Sequence, residues 1–536
     1  MSEPSSCASL LYHEFTKYSP EGLARNTRQL DWSRQPQPYK DYPAGVGTIL
    51  ALRTHLQQGG PEPESQPPGE ELSQLARWHR RRLSQLLYFS YGVTLVIPYA
   101  NQPFYMRAAP SAGGLYPAEL YLISRGVAGI PEGLYNYQVR SHSLVRFWDE
   151  SRWPRLQAGC AEAAILNQCS LALVVSAVFF RSAWRYEDRA YRRICLDSGH
   201  LLGNIELAAN LTGYRAYLLG GFCDQILEEL LFLDPQEEGI LAVVPLWDLW
   251  QPTSANTPQE MSQWPANEFT ALSSPIVTHV PELQEGDWLP FLHRVSRIES
   301  GSLTRPPVPA TTPAEPPADK YNFPFCLRVS TATPPIDWGP HLQELVRSIL
   351  KRRSTRHFTG ADLPLQLLLA LLDFTYHPEH YTAQGLDGNP DYFDRSLVET
   401  FVVANGVEGL EPGCYYYAVQ AQELRQIRFR NFRNEVFQLC LGQELGRDAA
   451  AVVFHTADLT KAVARYGERA YRYLHLDAGH LGQRLNLAAI GLGLGVSGIA
   501  GFFDNQVNEV LGIPTSEAAL YITTLGIPRQ ASPPKG

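Results

Sequence analysis

Hydrophobic and polar positions follow one order of elements twice along this chain. In LSQLLYFSYG (83–92) and LPLQLLLALLDFTY (363–376) leucines recur at helical spacing, whereas ELYLISRGV (119–127) and ETFVVANGV (399–407) alternate or run apolar as strands do. AYRRICLDSGHLLGNIELAANLTG and its later counterpart each predict a long helix, stopping at Gly213 and Gly493. A short strand and a Gly-Phe turn follow. Strands and helices do not alternate regularly, so the pattern predicts an α+β fold rather than a doubly wound sheet.

The second occurrence is a copy of the first. RYEDRAYRRICLDSGHL from Arg185 aligns without gaps with RYGERAYRYLHLDAGHL from Arg465, an offset of 280, and residues 185–231 share 20 identities in 47 with 465–511. The same offset pairs Gly133, Tyr135 and Tyr137 with Gly413, Tyr415 and Tyr417. A period this long means two homologous domains packed as a homodimer would be, not a solenoid. The expected divisions are a first domain (1–252), a Pro-rich linker or arm (253–335) and a second domain (336–536). RPPVPATTPAEPP rules out regular helix in part of the arm, while the apolar WLPFLHRV and YNFPF suggest that other parts are docked.

Composition narrows the function classes. The 536 residues are 44% hydrophobic and 18% charged, with a net charge of -9, which excludes the basic field that nucleic-acid binding needs. The eight cysteines are scattered, with no CxxC and no zinc spacing, so they read as reduced thiols. The N-terminus lacks a signal-peptide pattern and no apolar run reaches about 18 residues, so a cytoplasmic protein without a membrane role is expected.

Two motifs have plain structural readings. GLGVSG (493–498) follows a helix where a dinucleotide fingerprint must follow a strand, so it marks a helix stop. LDSGH and LDAGH offer only an Asp and a His per copy, which fits a hydrogen-bonded structural pair; no metal is expected. Two others are lost reciprocally. KRRSTRHF (351–358) can grip a phosphate through Arg forks and a Ser hydroxyl, and the first copy has PPGEELSQL in its place. PSAGG (110–114) would let backbone approach a flat ring, and at the 280 offset the second copy has PDYFD (390–394).

RAAPSAGGLYPAELYL, RRSTRHF, the RYGERAYR-type segment and the LDAGH helix resemble the FMN-dependent nitroreductase superfamily, specifically its SagB-type branch, which includes thiazoline and oxazoline oxidases. YHEFTKYS near the N-terminus resembles the leader of that branch. The resemblance implies an intertwined dimer, here fused in one chain, with FMN in the interface. It implies one composite site: Arg352, Arg353, Ser354 and Arg356 of the second copy, with Arg529, hold the phosphate. Pro110, Ser111, Ala112 and Gly113 of the first copy line the ring, and the turn containing Gly498, Ala500 and Gly501 lies near the flavin N5. The branch has a Lys-Tyr pair where this chain has Arg185 and Tyr186, the implied catalytic residues. Arginine, with a pKa above about 12, cannot serve as a base near neutrality, so proton abstraction falls to Tyr or water while Arg185 orients a carbonyl or carboxylate. The expected activity is oxidation of a peptide or peptide-like substrate, such as azoline-to-azole oxidation or amino-acid desaturation. The alternatives are an NAD(P)H-dependent nitro or quinone reductase and a catalytically silent scaffold subunit. The fused pseudo-dimer could act as a monomer.

Overall fold

The computed structural model describes residues 7–42, 47–52, 72–99, 103–250, 270–302, 319–321 and 325–529. The chain forms an α+β pseudo-dimer around two long antiparallel-sheet halves and a central pair of helices, Ala190–Leu211 and Ala470–Gly491. Each of these helices buries 20 of its 22 residues, which explains why their apolar positions run round the whole cylinder rather than along one stripe. The predicted stops are observed. Gly213 and Gly493 take φ of +74° and +73° two residues beyond the helix ends, a left-handed closure that Gly adopts without strain.

Each half carries a seven-stranded sheet with the same order of strands. The first runs Thr48–Ala51, Ser143–Trp148, Gly133–Gln138, Ala118–Ser124, Leu171–Val178, Glu238–Asp248, Tyr214–Ala216. The second runs Arg328–Ser330, Glu423–Arg428, Gly413–Ala418, Glu399–Ala404, Ala451–Asp458, Glu517–Gly526, Gly495–Ile499. Within both seven-stranded sheets paired strands are antiparallel, and the registers repeat: Glu119 faces Ser176 as Glu399 faces Thr456. The predicted helix at 83–92 is the end of a longer one, Gln74–Tyr91. That at 363–376 begins at Leu365, because Leu363 and Pro364 pair with Val407 and Glu408.

Part of the Pro-rich stretch repeats the first half's own beginning. WLPFLHRV forms the helix Trp288–Val295, offset by 280 from the N-terminal helix Ala8–Phe15, and the edge strand at Arg328 is offset by 280 from that at Thr48. Both helices cap across the pseudo-dimer. Ser9 N–H donates to Glu468 Oε2 at 2.7 Å, and Leu289 N–H donates to Asp188 Oδ1 at 2.9 Å. Tyr321 of YNFPF packs on Tyr416 with ring centres 5.1 Å apart. Among the described residues, no helix is long and apolar enough to cross a membrane.

Candidate functional site

The loop at 110–114 is built from below by the first central helix. Ser111 Oγ donates to Asp197 Oδ2 at 2.5 Å, Ala112 N–H donates to Asp197 at 3.1 Å, and Ser111 Oγ accepts from Tyr116 N–H at 2.8 Å. Burial pushes the Asp197 carboxyl up to about 7, against the pull of these donors and of Arg193. The turn requires Gly113 at φ +65°, and its approach is close: a Cβ there would lie 2.8 Å from Tyr186 Oη and 3.5 Å from Arg185 Nη1. Tyr186 and Arg185, which end the helix Phe179–Tyr186, therefore stand over the loop. Arg185 is exposed and Tyr186 half-buried, and among the described residues neither side chain has an ion pair or hydrogen bond.

The cationic segment meets that loop from the other half. Arg352 is buried, donating Nε to Ala108 O at 2.6 Å and Nη2 to Arg107 O at 3.0 Å. Expected as part of a phosphate grip, Arg352 uses two of its five N–H donors to fasten the second half to the strand that leads into the loop. Thr355 and Val496 exchange two hydrogen bonds, at 2.8 and 2.9 Å, and Arg529 N–H donates to His357 O at 3.0 Å. Arg353, Ser354, Arg356 and Arg529 are thereby gathered within a few residues of backbone contact. Arg353 Nη1 donates to Thr94 Oγ1 at 3.1 Å, while Arg356 and Arg529 are exposed. Among the described residues none of the four arginines has an ion pair. Burial lowers Arg352 to about 10, with Arg353 and Arg356 adding repulsion, so the cluster concentrates positive charge that no carboxylate among the described residues pairs with directly.

The turn after the second central helix completes the cleft. Gly498 is exposed, and Ala500 and Gly501 are half-buried. A Cβ on Gly498 would overlap the Tyr521 hydroxyl, which meets His200 Nε2 at 2.8 Å, and His200 Nδ1 meets Gln483 Oε1 at 2.9 Å. The expected Asp-His pair does not form: Asp197 holds the loop while His200 reaches across to the second half. Arg193 lies with its guanidinium 3.7 Å from the Tyr186 ring centre. Sequence reading missed Arg193, Tyr521 and Tyr18, yet a signal existed. Their counterparts are Tyr473 and Ile298 at the 280 offset and, by strand register, Ala242, so these are positions where the copies differ in chemistry.

The twin cleft is filled. Asp477 accepts from Phe393 N–H at 2.9 Å and from Asp394 N–H at 2.8 Å, as Asp197 does from Ala112, which places the structural match at an offset of about 282 rather than 280. Phe393 stacks on Tyr473 at 4.7 Å and 16°, and Tyr392 stacks on His480 at 4.3 Å and 23°. Gly220 and Leu218, counterparts of Ala500 and Gly498, are buried, and a Cβ on Gly220 would overlap Phe393. Arg465 and Tyr466, counterparts of Arg185 and Tyr186, are tied to Asp394 at 2.8 and 3.0 Å. Of PPGEELSQL, only residues 72–75 are described, and none is cationic. A planar aromatic ring thus occupies the cleft that lost its small-residue loop. The cleft that kept the loop has glycine backbone, no aromatic filler and an uncompensated arginine cluster. Those features fit a flat ring with an anionic tail, as FMN has.

Comparison with known proteins agrees with this architecture. A family model described as "Nitroreductase family" matches residues 62–246 and 349–527, one match in each half. The chain belongs to the Nitroreductase family. The crystal structure of a "putative nitroreductase" from Anabaena variabilis ATCC 29413 is similar over 98% of this chain and 100% of its own, with 52% identity and a TM-score of 0.87. This nitroreductase-family chain is also 32% identical over 151 residues to the trifolitoxin-processing protein TfxB of Rhizobium leguminosarum bv. trifolii. That match covers 27% of this chain and 40% of TfxB. The microcin B17-processing protein McbC of Escherichia coli is 27% identical over 144 residues, 26% of this chain and 52% of McbC. The chain therefore spans about half, or less, of the length of these two relatives.

One group of side chains among the described residues has metal-like spacing, His377, Glu379 and His380. Its rings lie nearly parallel, 19° and 5.3 Å apart. His377 Nε2 is engaged by Tyr417 at 3.0 Å and His380 Nδ1 by Asp373 at 2.7 Å. In-plane lone pairs of parallel rings do not converge, so no metal is assigned to it.

Proposed function

We propose that this chain is an FMN-dependent oxidoreductase with one composite FMN site per chain, acting as a dehydrogenase or oxidase on a peptide or peptide-like substrate. The observation that carries the reading is the asymmetry of the two clefts: one plugged by Tyr392 and Phe393, the other open and flanked by unpaired arginines. Arg353, Ser354, Arg356 and Arg529 would hold the phosphate. Pro110 to Gly113 and the turn from Gly498 to Gly501 would lie against the ring. When bound, the flavin supplies two-electron redox chemistry that no side chain offers. Arg185, exposed beside Gly113, orients a carbonyl or carboxylate of the substrate, and Tyr186 presents its hydroxyl to the same space. The peptide class is supported by the likeness to TfxB and McbC, each named for processing a peptide product.

Purified protein tests this directly. It should be yellow and release one FMN per chain on denaturation, and Arg353→Ala/Arg356→Ala should lose the flavin while keeping the unfolding midpoint of flavin-free wild-type protein. Candidate peptides, beginning with a thiazoline-containing one, should lose two mass units in air. Colourless protein that does not take up FMN would leave the scaffold reading standing. Bleaching by NADH, with peptides untouched, would select the reductase.

A further inference from the structure

The positions at which the halves differ point to a proton-handling residue that neither motif contains. Tyr18 follows the N-terminal helix Ala8–Phe15; its N–H donates to Asp504 Oδ2 at 3.0 Å, beside a bridge to Phe503. The arm makes the same contact in the twin place, where Ile298 N–H donates to Asp224 Oδ2 at 2.8 Å. Residues 18 and 298, like 224 and 504, are 280 apart, so the backbone anchor is symmetric and only the side chain is not. The phenol stands beside the open cleft and the isoleucine beside the plugged one.

Arg193 connects Tyr18 to the cleft. Its Nη1 lies 3.4 Å from Tyr18 Oη, its guanidinium covers the Tyr186 ring, and its Nη2 would lie 3.2 Å from a Cβ on Gly501. Arg193 is buried and, among the described residues, has no ion pair. Its neighbours Arg189 and Arg192 instead share Asp504, each at 2.7 Å. Its twin, Tyr473, lies under the Phe393 plug. A buried guanidinium with no ion pair among the described residues, one turn from Asp197 and facing two phenols and a glycine turn, is placed to stabilise negative charge that appears on a phenol oxygen.

We propose that Tyr18 is the general base of the open cleft, with its phenolate held by Arg193, while Tyr186 remains a phenol that orients the substrate. This rests on the flavin-dependent oxidation proposed above. In that reaction a substrate C–H or N–H proton passes to the Tyr18 oxygen and leaves it a phenol. The adjacent C–H bond gives its hydrogen and electron pair to the flavin as hydride, and dioxygen or another oxidant later takes up the two electrons. The phenol then returns its proton to water. Arg185 cannot take that proton. The charges facing Tyr18 favour the role. Burial opposes ionisation, but Arg193, Arg189 and Arg192 outweigh it and hold the hydroxyl below the usual phenol range. Asp504 is neutralised by its two arginines, and Lys17 is paired with Glu14. Burial pushes Tyr186 the other way, against Arg193 and Arg185. Two phenols on either side of one guanidinium are thus driven apart in acidity, which separates a base from a hydrogen-bond donor.

The test reads ionisation first and turnover second. In the full-length protein labelled with [13Cζ]tyrosine, one resonance should titrate at lower pH than the other tyrosines. It should vanish in Tyr18→Phe and move to higher pH in Arg193→Gln. If the early-titrating resonance is absent, persists in Tyr18→Phe or ignores Arg193→Gln, the proposal is overturned. With a thiazoline-containing peptide as probe, anaerobic flavin bleaching should accelerate with pH through that same titration. Tyr18→Phe should slow it by about 10²- to 10⁴-fold at unchanged flavin content and abolish the pH dependence; bleaching at the wild-type rate would equally overturn it. Should wild-type protein not bleach with the probe, the peptide-oxidation reading fails, while the titration still decides the state of Tyr18.

Discussion

Replacing Gly199 by Ala probes the joint on which every contact between the halves depends. Gly199 and Gly479 meet where the central helices cross. A Cβ on Gly199 would lie 2.9 Å from Gly479 Cα and overlap the Leu476 carbonyl; one on Gly479 would lie 3.0 Å from Gly199 Cα and overlap the Leu196 carbonyl. Every obstructing atom is backbone, so no rotamer change relieves the clash. Two effects compete. Ala in place of Gly within a helix stabilises by about 1 kcal/mol. Against this, restoring a carbon–carbon separation of about 3.7 Å requires the helices to part by nearly ~1 Å, a gap that forfeits about a quarter to a half of each dispersion contact. Overpacking of this kind costs about 1–3 kcal/mol. The cross-half hydrogen bonds His200–Gln483 (2.9 Å) and Gln483–Asn204 (2.6 Å) stretch with it, at about 1 kcal/mol each. The clash therefore wins, for a net loss of about 2–4 kcal/mol. Urea unfolding of Gly199→Ala should show a lowered midpoint and weaker flavin retention. Gly199→Ala/Gly479→Ala should cost less than the sum, because the helices part only once. A midpoint raised by the helix-propensity gain alone would refute the reasoning.

Other expectations concern the buried carboxylates and the plug. Asp504→Ala strands Arg189 and Arg192 without a partner and should cost about 3–5 kcal/mol in denaturant unfolding, whereas replacing all three residues with apolar ones should cost much less. Burial would raise Asp504, but Arg189 and Arg192 hold it below the ordinary carboxylate range. Its contribution is present above an unfolded pKa of about 3.9 and is lost as pH falls through the lower folded value, a loss that Asp504→Asn should remove from acid-unfolding curves. Asp197, raised to about 7, has the opposite sign. The native state holds a proton that the unfolded chain releases between about pH 4 and 7, so stability falls as pH rises through that window; Asp197→Asn should flatten this segment and loosen the loop at Ser111. Tyr392→Ala/Phe393→Ala should empty the twin cleft at a cost of about 3–5 kcal/mol or more. It should still bind one FMN per chain, since residues 72–75 offer no cation; a measured stoichiometry of two would contradict this.

Much of the fold was legible because it rests on local periodicity and an internal copy. The long helices, their glycine stops, the strand pairs and the α+β class follow from patterns within one half, and the offset of 280 exposes the pseudo-dimer. The site was legible only in part, for three physical reasons. Arg352 reads as a phosphate ligand by its charge, but two of its donors are also held by backbone carbonyls of the other half that only the fold brings to it. The Asp197 and His200 pairing looked local at a spacing of three, yet a buried polar side chain takes whichever partner the packing offers, and here each found a different one. Two residues are missing between loop and strand in the second half, so a gap-free alignment set PDYFD against PSAGG; it brought Tyr392 and Phe393 to the right place but hid that Phe393 and Asp394 match Ser111 and Ala112.

How the two clefts can differ while the interface between the halves stays the same follows from the way that interface is built. The contacts that join the halves recur under the 280 offset. Glu468 and Asp188 cap the two short helices, and Asp504 and Asp224 each bind two arginines of the opposite half. His13 meets Tyr471 at 3.1 Å as His293 meets Tyr191 at 3.2 Å. Each is buried and charged or hydrogen-bonded, so losing one member would leave its partner stranded, and both copies keep them. The cleft residues are under no such constraint. An emptied cleft is a void that aromatic side chains can fill. Phe393 on Tyr473 and Tyr392 on His480 make the twin cleft part of the core, and the stacked rings add stability there. Packing therefore favours sealing one cleft, while the open cleft, lined by Gly113, Gly498 and buried Arg193, retains what packing alone would not choose.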